Sequence, residues 1–103
     1  MDVLEVKELL GNTKTLHFKT HFFIRVKDRP ITKELVEINL KNPKSLFLVE
    51  TLQSKNTGEI KLKLWFKMSN KYSLIVIILS ANKDLYIITA WNTDRKWQKA
   101  IQK

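Results

Sequence analysis

The hydrophobic repeat of the chain changes from a helical period to a β period at Pro43, and this change constrains the fold more than any other feature. After Pro43, the segment EIKLKLWFKM at 59–68 alternates apolar and polar residues almost throughout. A repeat of two residues places successive side chains on opposite faces of a strand. Before Pro43, apolar residues recur at helical spacing. Helices followed by strands predict an α+β fold, and a chain of 103 residues is long enough for a single domain, 1–103.

Three helices are expected before the change of period. They cover 1–12, 20 to 28 or 29, and 32–41. Their expected N-caps are Asp2, Thr20 and Thr32, and Gly11 is the expected stop of the first helix. The second helix stops before Pro30, because the residue preceding a proline is pushed out of the α region. The segment TKTLHFKT at 13–20 is polar and β-tolerant, so it is expected to be a connector or a short extended piece.

Four strands are expected after Pro43, at 46–52, 59–68, 73–80 and 84–91. The segment 73–80 is apolar at every position between its two terminal serines, which is typical of a central strand covered on both faces. Short turn-forming segments separate neighbouring strands and favour an antiparallel meander. The predicted architecture is therefore N-terminal helices packed on one face of a four-stranded antiparallel sheet. A short basic helix at 94–103 is expected to follow the sheet.

The charge balance limits the classes of partner. The chain has 19 Lys and Arg residues against 10 Asp and Glu, a net charge of +9, which favours a polyanion such as RNA. The competing interpretation is that the excess lysine only provides solubility. With no cysteine and two histidines, neither a metal site nor a cofactor is expected. The longest apolar run is too short to span a bilayer and the N-terminus does not resemble a signal peptide, so we expect a cytoplasmic protein without a membrane partner.

The segment THFFIRVKDRPIT at 20–32 carries the main candidate site. It places His21, Arg25 and Arg29 four residues apart, on one face of a helix. Histidine transfers protons near neutral pH, and arginine donates paired hydrogen bonds to phosphate. A purely structural role is the competing interpretation: His21 pairs with Asp28 or a backbone carbonyl, and Arg29 offsets the helix dipole. His17 extends the same spacing but precedes the expected helix, so it ranks below the others.

The second strand offers a basic and aromatic face. Lys61, Lys63 and Lys67 flank Trp65 there, an arrangement that suits phosphates and a stacked base. A wet sheet face or a lysine-guarded edge strand explains the same pattern equally well.

Two further groups complete the candidate RNA-binding residues. Thr89 and Trp91 share one face of the last strand, where Trp91 either stacks on a base or belongs to the core. If the second helix docks on that face, both residues should face His21. The tail contributes Arg95, Lys96 and Lys99, which are suited to binding a phosphate backbone without sequence preference.

The pattern of residues 2–92 resembles a family of small RelE-like domains in the barnase–EndoU–colicin–RelE group of ribonuclease toxins. Three features carry the resemblance: a helix with His and Arg at four-residue spacing, an Asn-Pro pair after the next helix, and a Thr-x-aromatic ending of the last strand. The corresponding residues are His21, Arg25, Arg29, Pro30, Ile31, Asn42, Pro43, Ile87, Ile88, Thr89 and Trp91. The family often has Gly where this chain has Pro30. The resemblance implies a RelE-like fold and suggests RNA cleavage or binding.

Two principal hypotheses follow for the function. The first is a metal-independent endoribonuclease of the toxin type, acting on mRNA or tRNA and inhibited by an acidic antitoxin or immunity protein. His21 would transfer the proton and Arg25 would clamp the phosphate. The second is a non-catalytic RNA-binding or protein-binding module with the same fold. A homodimer joined through the sheet is a third interpretation, disfavoured by the charge of +9.

RNA binding by this chain is expected to depend strongly on salt. Each phosphate neutralised by a cation releases counterions, so the affinity should fall roughly tenfold or more between about 50 mM and about 200 mM salt. Titration of a labelled single-stranded RNA at both concentrations measures the slope. An affinity that does not change with salt would contradict a phosphate interface.

Overall fold

The computed structural model describes residues 1–12, 15–55 and 57–94. This part of the chain forms three α-helices, a 3₁₀ turn and five strands, which confirms the α+β class. In chain order the elements are α1 (Val3–Asn12), β1 (Thr15–Phe18), α2 (Thr20–Val26), α3 (Lys33–Lys41), the 3₁₀ turn (Pro43–Ser45), β2 (Leu46–Leu52), β3 (Ile60–Lys67), β4 (Tyr72–Ala81) and β5 (Asp84–Asp94). The expected tail helix at 94–103 lies outside the described residues except at its first position.

The sheet has five strands in the order β1-β5-β4-β3-β2. Strands β2 to β5 form the expected antiparallel meander, but β1 pairs with β5 in parallel, from Thr15 opposite Asp84 to Phe18 opposite Ile87. The prediction of a four-stranded antiparallel sheet is therefore wrong. The segment 13–20 does contain a short extended piece, which is β1, but its place in the sheet was missed because it has only four residues and its partner lies far away in the sequence. Local pattern carries no signal for such a pairing.

The helix ends follow the predicted caps in part. The hydroxyl of Thr32 accepts a hydrogen bond from the Leu35 amide at 3.1 Å, which confirms Thr32 as the N-cap of α3. The prediction for Thr20 is wrong, because α2 is capped by Lys19 without a side-chain hydrogen bond. Gly11 is not the stop either, since α1 continues to Asn12. Helix α2 ends at Val26, two or three residues before the expected position.

All three helices pack on one face of the sheet, which is called the core face here. Helices α1, α2 and α3 contribute apolar side chains to a common core with β3, β4 and β5. The helical members are Val6, Leu10, Phe22, Val26, Val36 and Leu40, all nearly or fully buried. The opposite face is called the second face here. Ile75 of β4 is 2% exposed on that face, as expected of a central strand covered on both faces. Trp65 of β3 is 3% exposed there, so a uniformly wet face is the wrong interpretation of the lysines of β3.

Phe22 anchors α2 to the core. Its side chain is fully buried and its ring stacks on Phe18 with centroids 5.0 Å apart. Phe18 is the last residue of β1 that pairs with β5, so its contact with Phe22 joins the helix to the sheet. The neighbouring Phe23 is 47% exposed.

Phe22→Ala is expected to lower the free energy of unfolding by about 3–5 kcal/mol, because it leaves a cavity in the core. Phe23→Ala is the matched control and should cost about 1 kcal/mol or less, since that ring already contacts solvent. Urea unfolding followed by circular dichroism measures both values. Equal losses for the two variants would contradict the packing described.

Candidate nucleic-acid interface

A cleft of about 420 Å³ opens beside β5, beyond the end of its pairing with β1. The last pair in that register is Phe18 with Ile87, whereas β5 continues to Asp94. Helix α2 follows β1 almost immediately and packs along this continuation of β5. The described residues that line the cleft are Arg25, Arg29, Thr89 and Trp91. Four residues predicted for the site from sequence therefore come together in one place.

A β-bulge in β5 determines which residues point toward the cleft. Ile77 pairs with Thr89, but the next residue, Ile78, pairs with Ile87, which leaves Ile88 as an extra residue in β5. An extra residue shifts the alternation of side chains between the two faces. Ile87 accordingly lies in the core, while Thr89 shares the second face with its partner Ile77.

Arg29 lies in the turn that follows α2 and is fixed to β5. Its amide donates to the Val26 carbonyl at 3.0 Å, which forms the turn. Its guanidinium Nη1 donates to the Ala90 carbonyl at 2.8 Å and lies 3.5 Å from the Thr89 hydroxyl. The structural role expected for Arg29 was to offset the dipole of its own helix, which would place its guanidinium near the last carbonyls of that helix. The bonded carbonyl belongs instead to β5, on the stretch of that strand beyond β1.

Arg25 lies on α2, four residues before Arg29, and is exposed. The ion pairs of the described residues join other groups, so neither Arg25 nor Arg29 has a carboxylate partner there. A guanidinium has five N–H donors, and the contacts of Arg29 use only a minority of them. Two arginines that have no carboxylate partner among the described residues are chemically suited to an anion, and the planar fork of each suits a phosphate.

His21 is exposed and lies one turn before Arg25 on the same face of α2. Among the described residues it does not line the cleft. We expected Thr89 and Trp91 to face His21. Both residues instead line the cleft together with Arg25 and Arg29. His21 lies outside the cleft on the side of Arg25.

The lysines of β3 lie on the second face and differ in exposure. Lys61 and Lys63 are partly exposed and Lys67 is exposed, whereas Trp65 between them is buried. The lysine-guarded edge is the wrong interpretation of this pattern, because β3 is paired on one side with β2 and on the other with β4. The buried ring of Trp65 offers no free face for a base. Its indole Nε1 is buried without a hydrogen-bond partner among the described residues.

A second cluster, which sequence reasoning did not assemble, surrounds His17. Its Nε2 lies 3.0 Å from the Asp84 carboxylate, and its ring stacks on Tyr86 with centroids 4.8 Å apart. The Lys19 ammonium lies 5.0 Å from the centroid of the same Tyr86 ring. The parallel pairing of β1 with β5 creates this cluster at the start of β5, so no local pattern could reveal it.

Three of the predicted RNA-binding residues, Arg95, Lys96 and Lys99, lie outside the described residues. Within the described ranges, no group of three or more His, Cys, Asp or Glu side chains is arranged to hold a metal ion. None of the helices in that part of the chain is both long and apolar enough to cross a membrane.

Comparison of the chain with protein-family models, with curated proteins and with solved structures gives no match. The fold and the site alone therefore define its class. It is a small basic α+β domain in which two arginines line a cleft between a helix and the outer part of a strand in a mixed sheet.

The two arginines of the cleft are expected to differ in their contribution to stability. Arg29→Ala removes a bond to the Ala90 carbonyl and should lower the free energy of unfolding by about 1 kcal/mol. Arg25→Ala removes no described contact and should change it by less than about 0.5 kcal/mol. Chemical denaturation of both variants beside the unmodified protein tests the difference. A larger loss for Arg25→Ala would show that the roles are reversed.

Proposed function

We propose that this chain is an RNA-binding domain that cleaves RNA without a metal ion, as a toxin-like endoribonuclease acting on mRNA or tRNA. One observation carries the proposal: Arg25 and Arg29 meet at a cleft that contains no carboxylate among its described lining residues. The chain's charge of +9 supports a polyanionic ligand. The resemblance to RelE-like ribonuclease domains agrees with this function.

The phosphate is bound by the two arginines. Arg29 is held in position by its bond to β5, so its remaining donors are preorganised for an anion. Arg25 is exposed and completes the clamp from α2. As the 2′-oxygen attacks the phosphorus, negative charge develops on the phosphate oxygens, and two guanidinium groups stabilise it.

The proton transfer is assigned to His21. In this mechanism the 2′-oxygen forms a bond to phosphorus while its proton passes to the imidazole. The bond from phosphorus to the 5′-oxygen then breaks, and the leaving oxygen takes a proton from water at the open cleft. The hydroxide formed takes the proton from the imidazolium, which restores neutral His21. The products are a 2′,3′-cyclic phosphate and a 5′-hydroxyl. The position of His21 beside Arg25 requires the reacting phosphate to bind at the outer end of the cleft, near α2.

Trp91 is the proposed platform for a base. It is partly buried and forms one wall of the cleft, so an unpaired base can stack on its ring while the adjacent phosphate binds Arg25 and Arg29. Lys61 and Lys67, on the same sheet face, attract the flanking phosphates. Arg95, Lys96 and Lys99 add to the same attraction in the proposal.

A non-catalytic RNA-binding module is the second candidate, and one observation favours it. Neither a histidine nor a carboxylate is among the described lining residues of the cleft. A binding site needs no proton-transfer group, whereas a nuclease does.

An acidic protein is the proposed protein partner under either function, in the manner of an antitoxin or immunity protein. Its negative charge would complement the same unpaired cations that bind RNA. Association of two copies of the chain is disfavoured by their like charges of +9.

Cleavage of total RNA or tRNA in the presence of a chelator tests the proposed function. His21→Ala is expected to lower the rate roughly a hundredfold to ten-thousandfold while the fold is retained, because it removes the proton-transfer group. Arg25→Ala should lower both the affinity and the rate. His17→Ala is the matched control, since it removes the other histidine of the chain away from the cleft.

The outcomes separate the candidates. Equal cleavage by the unmodified protein and by His21→Ala contradicts the role of His21 and points to a contaminating nuclease or a different proton-transfer group. Binding without cleavage by the unmodified protein favours the binding module. If Arg25→Ala binds and cleaves RNA as well as the unmodified protein does, the cleft is not part of the RNA interface.

A further inference from the structure

The ammonium group of Lys63 contacts side chains on other strands of the sheet. Lys63 lies on β3, where it pairs with Ile77 of β4, and Ile77 in turn pairs with Thr89 of β5. The ammonium group nevertheless lies 5.5 Å from the ring centroid of Trp91, which belongs to β5. The side chains of Lys63 and Trp91 therefore meet across β4, the strand that separates them, and Trp91 is a wall of the cleft.

The ammonium of Lys63 has three partners. It lies 4.9 Å from the ring centroid of Trp65 as well as 5.5 Å from that of Trp91. It also lies 3.9 Å from the carboxylate of Glu50, which faces Lys63 directly across β2 and β3. Its side chain is 25% exposed. A cation placed between two indole faces is attracted to both rings, and the attraction is stronger where water is partly excluded.

These contacts leave Lys63 poorly placed to bind a phosphate. A phosphate ligand would have to replace the Glu50 carboxylate and draw the ammonium away from both rings. Lys61 lies two residues earlier on the same face and has no described ion pair or ring contact, so it is the better phosphate ligand.

We propose that Lys63 is a positioning residue, which fixes the Trp91 ring as the wall on which an unpaired base stacks in the Arg25–Arg29 cleft. The inference rests on the proposed RNA binding at this cleft. Arg25 and Arg29 hold the phosphate, and Trp91 holds the base. Lys63 acts only through Trp91. Its charge, rather than a contact with RNA, determines how well the base binds.

Paired ligands separate stacking from phosphate binding. The first ligand is a short single-stranded RNA, and the second is the same RNA with one abasic site, scanned along the chain. The ratio of the two affinities measures the contribution of the stacked base. Trp91→Ala should bring this ratio close to one, because stacking on an aromatic ring is the source of the preference.

Lys63→Met is expected to lower the ratio of the affinity for intact RNA to that for abasic RNA about fivefold. Its affinity for the abasic RNA should fall no more than that of Lys61→Met. Lys63→Arg should restore the ratio, because it keeps the cation between the rings. Lys61→Met is the matched control on the same strand and face, and it should lower both affinities equally. A ratio unchanged in Lys63→Met would overturn the inference, as would an equal loss for both RNAs, which would make Lys63 a phosphate ligand.

A measurement on the free protein makes the inference testable without RNA. The indole N–H resonance of Trp91, assigned from the spectrum of Trp91→Phe, should show greater side-chain mobility in Lys63→Met. The side-chain mobility of Trp91 should remain unchanged in Lys63→Arg and Lys61→Met. An equally rigid Trp91 ring in Lys63→Met would overturn the role of Lys63. Absence of RNA binding by the unmodified protein would instead overturn the proposed function and, with it, the part of the inference that concerns the base.

Discussion

The packing of α2 against β5 is the contact on which the site depends. Phe22 is fully buried and stacks on Phe18, which is held in the parallel pairing of β1 with β5. Because β1 has only four residues, the later part of β5 has no strand partner on that side among the described residues. An open strand edge carries unpaired backbone groups, which folded proteins cover with a helix, a loop or a side chain. Here the turn after α2 brings Arg29 to the Ala90 carbonyl, and the same contact creates the cleft.

The sequence predicts the elements of the fold better than their long-range pairing. The alternation at 59–68 identifies β3, and the Thr32 hydroxyl identifies the start of α3, because both signals are local. The strand β1 has too few residues for a periodic pattern, and its partner lies at the other end of the sheet sequence. The four-residue spacing in 20–32 correctly brings Arg25 and Arg29 to one side, although α2 ends before Arg29 and a turn completes the approach.

The bulge at Ile88 explains why the site could be predicted only in part. Thr89 and Trp91 share a face whether or not the bulge is present, so their association was visible in the sequence. Simple alternation would also place Ile87 on that face, but the extra residue sends Ile87 into the core instead. The burial of Trp65 could not be predicted either. An aromatic residue among lysines is expected to be exposed until the partners of those lysines are known.

The cationic side chains of the chain differ in whether a carboxylate or an aromatic ring lies beside them. Lys41 pairs with Glu37, whose pKa is lowered by the hydrogen bond and charge of that lysine, and Lys63 is held by Glu50 and two indole rings. Arg25 and Arg29 have no carboxylate partner among the described residues. Binding and cleavage make different demands on these two arginines, because His21 lies about 6 Å along the helix axis from Arg25, on the side away from Arg29. A phosphate that contacts both guanidinium groups at the Arg29 end of the cleft lies farther from His21 than one that contacts both at the Arg25 end. In the proposed function, the position of the phosphate along the cleft therefore decides between cleavage and binding alone.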